Sequence, residues 1–294
     1  KTEEGYSCIS YTETSENKSE SKKSERQSPI LHYQSGLNKQ IFLNSPSIEK
    51  TEKAVVPAIT ATINTGNEFC EKTAEEIDYW LKSKVKGRRF EHSLGVAEKA
   101  SQLSLKFNLT VKQHKQAVLA GFLHDCAKLL TPDALISSLK QYNLPINPAD
   151  LASSQVLHAE VGAAQVRHEL GVNDESILNA ISWHTTGHPN MCQSDTLVEK
   201  VVFIADKIEE RTRNTEFCNK INNHLDQWMH EPNITANNIL AAGVMVLLEE
   251  TVQYLQSRSL TVHSKSLMTL NALHDQLYWL NRHTCLQNNK EITI

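Results

Sequence analysis

Imidazole and carboxylate groups are costly to bury, so apolar helix faces that carry several of them call for a chemical reason. The run GFLHDCAKLLT (121–131) sets His124 and Asp125 side by side in a mostly apolar stretch, with Lys128 one turn on. Four more ligand-type residues occur in similar surroundings: His92 in RRFEHSLGV, His158 in SQVLHAEVGAA, His184 in AISWHTTGH and Asp206 in VVFIADKIEE. Leu157 and Val161 flank His158; Ile177, Ala180 and Ile181 precede His184; Val202 and Ala205 bracket the turn that holds Asp206. Imidazole and carboxylate together suit iron, manganese or zinc, and the absence of cysteine from the set argues against a structural zinc clip. Four histidines and two aspartates exceed the needs of one tetrahedral ion. If all six converge, two metal ions sharing a carboxylate is the simplest solution. Singly, each residue has a plainer reading, as a core histidine bonded to a carbonyl or as an aspartate meeting Lys200 or Lys207. Only the conjunction points to a metal site.

The elements that would position these residues read as helices. Thr73-Ala-Glu-Glu76 has the form of a capping box, and Ile77, Trp80, Leu81 and Val85 follow at helical spacing. Gly87 breaks that pattern, and a second helix is expected from about Arg89 to Phe107, with His92 one turn before Val96 on the same face. Further helices are expected over 111–129, 132–142, 153–170, 174–186, 194–210, 235–257 and 264–282. Pro145 and Pro148 punctuate a loop, and Gly171 stops a helix ahead of Asp174, the N-cap of the next. No alternating strand pattern and no internal repeat is visible. The expected fold is all-α, with one helical domain over 72–284. Residues 1–70 form a low-complexity tail or linker, and their Ser/Glu/Lys-rich part (10–28) buries too little to offset its ordering entropy, which predicts disorder.

The order H…HD…H…H…D resembles the HD-domain superfamily of metal-dependent phosphohydrolases. The pieces RRFEHSLGVAEKA (88–100), AGFLHDCAK (120–128), VLHAEVGAA (156–164), AISWHTTG (180–187) and KVVFIADKIE (200–209) resemble more closely its YqeK-type branch, the bacterial symmetrical diadenosine tetraphosphate hydrolases. The resemblance covers about 75–284 and implies an HD-type helical bundle. It implies that His92, His124, Asp125 and Asp206 hold one divalent metal ion, and that Asp125 bridges to a second held by His158 and His184. The metals would be iron, with manganese, cobalt or zinc as alternatives. Lys128 would meet a phosphate oxygen or a water and Arg89 a phosphate, while Thr185, Thr186 and Gly187 would hold the polyphosphate. The substrate would be a dinucleoside polyphosphate cut to two ADP, and a homodimer is compatible with the resemblance. The chain departs from the family where a proline and, two residues on, an arginine usually follow ADxIE: here Glu210 and Thr212 stand in those places, with Arg211 and Arg213 on either side of Thr212.

Bulk properties exclude other classes. A formal charge of −4 supplies no basic footprint for nucleic acid. No run approaches the roughly 18 apolar residues of a membrane span. Six cysteines scattered without paired spacing read as reduced thiols of a cytoplasmic protein. Two competing readings keep parts of this picture: another nucleotide phosphohydrolase of the superfamily (a nucleotidase, phosphodiesterase or (p)ppGpp hydrolase), or a helical binding protein with an inactive site.

Overall fold

A computed structural model of the protein describes residues 68–287, and the expected disordered tail lies outside them but for its last residues. Of those, Phe69 and Cys70 pack against the core. Helix α1 (Ala74–Lys84) begins at the foreseen capping box: Thr73 Oγ1 accepts the Glu76 amide at 3.2 Å, and Glu76 Oε2 accepts the Thr73 amide at 2.8 Å. Helices α2 (Arg88–Lys106), α3 (Val111–Leu123), α4 (Pro132–Gln141), α5 (Pro148–Ala152), α6 (Leu157–Leu170), α7 (Glu175–Trp183) and α8 (Leu197–Ile208) follow. Three more, α9 (Thr215–Met229), α10 (Ala236–Ser257) and α11 (Ser264–Gln287), complete the described residues, among which there is no strand.

Most helix starts carry a side-chain cap that satisfies an orphan amide. Thr110 repeats the capping box for α3, Thr131 caps α4 ahead of Pro132, and Asp174 Oδ1 accepts the Ile177 amide at 3.2 Å. Gly171 ends α6 in the left-handed conformation at φ 72°, as a C-terminal glycine does. Pro148 does not sit in a loop, as expected from the sequence, but opens the short α5, where its missing N–H costs nothing.

Helix α8 is the axis of the bundle. Val198, Val201, Val202, Phe203, Ile204, Ala205 and Ile208 are all buried, and α2, α3, α7, α9 and α10 pack around it. Burial of these apolar side chains is what encloses the helix, and each one removed from water contributes roughly 1.5–3 kcal/mol. The enclosure is what carries Asp206, in the last turn of α8, into the interior. Helix α3 lies across α2, α7 and α8, and α6 packs on α7 and α4. No helix of the described residues is long and apolar enough to cross a membrane.

Candidate metal centre

Two of the expected helices end early, and both endings create site residues. The helix foreseen to residue 129 stops at Leu123, after which Cys126, Lys128 and Leu130 donate to the carbonyls three residues back, at 3.1, 2.9 and 3.1 Å. That tighter winding carries His124, Asp125 and Lys128 through consecutive turns. The helix foreseen to residue 186 stops at Trp183, and His184 is its C-cap. In each case the imidazole bonds the last turn: His124 Nδ1 lies 2.8 Å from Gly121 O and His184 Nδ1 lies 2.6 Å from Ile181 O. His158, at the start of α6, repeats the device on Gln155 O at 2.5 Å. A carbonyl accepts only, so each Nδ1 carries the hydrogen and each Nε2 presents a bare lone pair.

The six residues converge, all of them buried. His92 Nε2 lies 3.3 Å from His124 Nε2 and 3.0 Å from Asp206 Oδ1, with Asp125 Oδ2 at 3.9 Å from the first and 3.8 Å from the second. On the other side of the same carboxylate, Asp125 Oδ1 lies 3.2 Å from His158 Nε2 and 3.5 Å from His184 Nε2, which are 3.1 Å apart. One oxygen of Asp125 therefore faces each histidine pair. Two bare imidazole nitrogens at such distances repel unless a cation or a proton lies between them. Asp125 Oδ1, moreover, has no hydrogen bond although it is buried. The donor set thus fits divalent metal ions.

Electrostatics prepare the same groups. Burial opposes ionisation of Asp125, but the electrostatic influence of His124 and Lys128 outweighs it and holds the carboxyl well below the usual range. Asp206 is held down likewise, by Lys207 and Arg213 against its burial. Burial pushes the His184 imidazole down to about 3 and lowers His158 as well, so both stay neutral with lone pairs to give.

Around the two aspartates stand four cations. Arg89 Nη1 lies 3.1 Å and Lys128 Nζ 3.7 Å from Asp125, and Lys128 Nζ also donates to His158 Nε2 at 3.0 Å. Arg213 Nη2 lies 2.7 Å from Asp206 Oδ1, and Lys207 pairs with Asp206 Oδ2 while donating to His184 O at 3.2 Å. Lys207 is thus the partner of Asp206, whereas Lys200 is fully buried elsewhere and donates to Gln193 O, Thr196 Oγ1 and Asn237 Oδ1. Thr185 Oγ1 sits 3.0 Å from His184 Nε2 and 3.2 Å from His158 Nε2. Thr186 instead turns its hydroxyl to Gly187 O, and Gly187 backs onto α11.

The departure after ADKIE resolves structurally. Arg211 is held by Glu91 at 2.6 Å and by both oxygens of Glu98, and Glu210 pairs with Lys99 at 2.6 Å. Of the residues flanking Thr212, Arg213 is the one at the aspartates. Sequence reasoning also passed over Glu209, which is fully buried and lies 3.1 Å from His92 Nδ1. A carboxylate on one ring nitrogen leaves the other for a metal. The signal was present, in that Glu209 lies three residues after Asp206, one helical turn on.

A model of the HD domain matches residues 89–211, which hold all six converging residues. Over 135 residues the chain is 36% identical to the symmetrical bis(5'-nucleosyl)-tetraphosphatase of Bacillus subtilis, covering 46% of this chain and 68% of that one. It belongs to the HD-domain family of metal-dependent phosphohydrolases, in its YqeK-type branch. A second relative of the same name, from Halalkalibacterium halodurans, is 29% identical over 195 residues, which cover 66% of this HD protein and 92% of the relative. The crystal structure of a predicted HD superfamily hydrolase involved in NAD metabolism, from Clostridium acetobutylicum, superposes with a TM-score of 0.60 at 26% identity. That likeness covers 70% of this chain and 98% of the other. It extends the shared all-α architecture well beyond the matched domain.

Proposed function

We propose that this HD protein is a symmetrical dinucleoside tetraphosphatase that hydrolyses diadenosine tetraphosphate to two ADP at a dinuclear centre. The observation that supports it most is the carboxylate of Asp125, with one oxygen toward His92 and His124 and the other toward His158 and His184. His92, His124, Asp125 and Asp206 would hold one ion and Asp125, His158 and His184 the other, with iron the first candidate and manganese, cobalt or zinc alternatives. Such a pair of ions supplies a nucleophile at neutral pH and neutralises phosphoryl charge.

The chain's own side chains do the remaining work. The three imidazoles anchored through Nδ1 are fixed in direction, so no reorganisation is needed when charge develops. Arg89 and Lys128 approach from the Asp125 side and Lys207 and Arg213 from the Asp206 side, which suits a polyanion with phosphates on both flanks of the scissile bond. Lys128 Nζ lies 3.0 Å from His158 Nε2, and with that lone pair given to an ion the ammonium would be free to hold a leaving or equatorial oxygen. Thr185 offers a hydroxyl that turns to donate or accept beside the same histidine pair, aligning the attacked phosphoryl group. The resemblance of two relatives named as symmetrical tetraphosphatases favours this substrate over other nucleotides.

The test is chromatography of the products formed from diadenosine tetraphosphate, by wild type and Asp125→Ala. ADP as the only early product, lost in the variant, is the expected result. AMP with ATP, or turnover of a nucleoside monophosphate or (p)ppGpp instead, would overturn the substrate assignment while keeping a hydrolase. No turnover of any nucleotide would favour the binding-protein reading.

A further inference from the structure

Helix α11 lies outside the matched domain, yet its first half is built against the half of the site formed by His158, His184 and Thr185. Gly187, two residues beyond Thr185, has φ 69°, and a Cβ there would meet Thr269 Cγ2 at 2.8 Å and its Oγ1 at 3.2 Å. Thr269 is fully buried, and its hydroxyl is spent on Lys265 O at 2.7 Å, so what it offers the loop is its methyl surface. Four residues earlier, Lys265 forms an ion pair with Glu160, two positions beyond His158, and lies 3.7 Å from Asp150. His263 fixes the start of α11: its Nδ1 accepts the Lys265 amide at 3.2 Å, and its Nε2 lies 2.8 Å from the buried Asp150 carboxylate. The same helix packs on the 3-10 turn Pro189–Cys192, which continues the loop from Gly187. Both segments that supply the second histidine pair, the start of α6 and the loop after α7, are thus held by one face of α11.

We infer that α11 is a positioning element for the second metal site, with Thr269 the positioning residue for the Thr185–Gly187 loop and Lys265 the one for the start of α6. The inference rests on the dinuclear reading. Its physical basis is tolerance: a ligand displaced by a few tenths of an ångström weakens a site, and supporting residues of metal ligands commonly change affinity by about 10–100-fold. The first pair, His92 and His124, belongs to α2 and the end of α3.

The experiment is titration of the full-length, metal-stripped chain with Mn(II), followed by calorimetry and by the paramagnetic signal of free Mn(II), on wild type, Thr269→Ala, Thr269→Val and Lys265→Met. Wild type should bind two ions. In Thr269→Ala and Lys265→Met one equivalent should weaken at least about tenfold while the other is unchanged. Thr269→Val, which keeps the methyl that faces Gly187, should bind as wild type does. Circular dichroism and melting separate this from unfolding, which would weaken both equivalents together. Two unchanged equivalents in Thr269→Ala and Lys265→Met, or equal weakening of both in folded protein, would overturn the inference and leave the dinuclear reading intact. A wild type that binds fewer than two ions would overturn both.

Discussion

Replacing Glu209 with glutamine should damage the first histidine pair more than its distance from the substrate suggests. Glu209 Oε2 accepts the Arg211 amide at 2.7 Å and the Thr212 amide at 3.1 Å, while Oε1 faces His92 Nδ1 at 3.1 Å and takes the Thr212 hydroxyl. A glutamine fills the same space but brings an NH2 among these donors. Placed at the Oε2 position, that NH2 would oppose two backbone N–H groups that cannot turn away. Placed at Oε1, it asks that the Thr212 hydroxyl rotate, that the Thr212 amide, shared between the two oxygens, rely on the Oε2 position alone, and that His92 accept at Nδ1. The cheaper choice therefore moves the His92 proton to Nε2, the nitrogen that faces His124 and Asp206, where it blocks a cation. One or two charge-assisted bonds are also lost, about 2–4 kcal/mol of stability in a fully buried setting. Urea denaturation of the metal-free protein should show that loss. Mn(II) titration should show one equivalent weakened by about 10–100-fold, and the ring nitrogen shifts of His92 should report the proton at Nε2. A stability within about 0.5 kcal/mol of wild type, with unchanged Mn(II) affinity, would refute the reasoning.

Gly95 sits against the same carboxylate: a Cβ there would fall inside van der Waals contact with Glu209 Oε2, so Gly95→Ala should cost about 1–3 kcal/mol by chemical denaturation. Arg213→Met should raise KM for diadenosine tetraphosphate by at least about tenfold, the worth of a charged hydrogen bond, and should also lower the melting temperature, because it leaves the buried Asp206 carboxylate short of a partner. Arg211→Met should lower the melting temperature with KM unchanged, since Arg211 is committed to Glu91 and Glu98. Away from the site, burial pushes the Glu199 carboxyl up to about 7 from 4.5, and its Oε2 has no hydrogen-bond partner. A raised carboxyl pKa means the folded state holds the proton longer, so this group's contribution falls as pH rises from about 4.5 to about 7 and is flat beyond. Glu199→Gln should therefore stabilise the protein by up to about 3 kcal/mol at pH 8 and hardly at all at pH 4, measured by urea denaturation at both.

Much of this was legible in the residues, because the cues were local. Thr73 and Glu76 announced α1, Gly171 and Asp174 the break between α6 and α7, and the apolar settings of His92, His124, His158, His184 and Asp206 marked residues that do converge. What escaped depended on tertiary contact or on chain geometry without a composition signature. Helix periodicity could not show that α3 and α7 stop short at His124 and His184, since both stops follow from ring-to-carbonyl bonds and tight turns within apolar runs. Helix α9 had a cap in Asn214, whose side chain accepts the Phe217 amide at 2.9 Å, and a narrow stripe of Cys218, Ile221 and Leu225, which its otherwise polar composition obscured. The roles of Arg211 and Arg213 diverge only because the chain turns between them. The hold of Thr269 on Gly187 joins positions 82 residues apart, a pairing no spacing rule reaches.

The central claim is that one carboxylate joins two metal sites. Elemental analysis of the purified full-length chain, wild type beside Asp125→Ala, tests it most directly. Two ions per chain in wild type and loss of both, or nearly both, in the variant is the result expected if Asp125 bridges. One ion or none in a wild type reconstituted with Fe(II) or Mn(II), or a variant that keeps both, would contradict it.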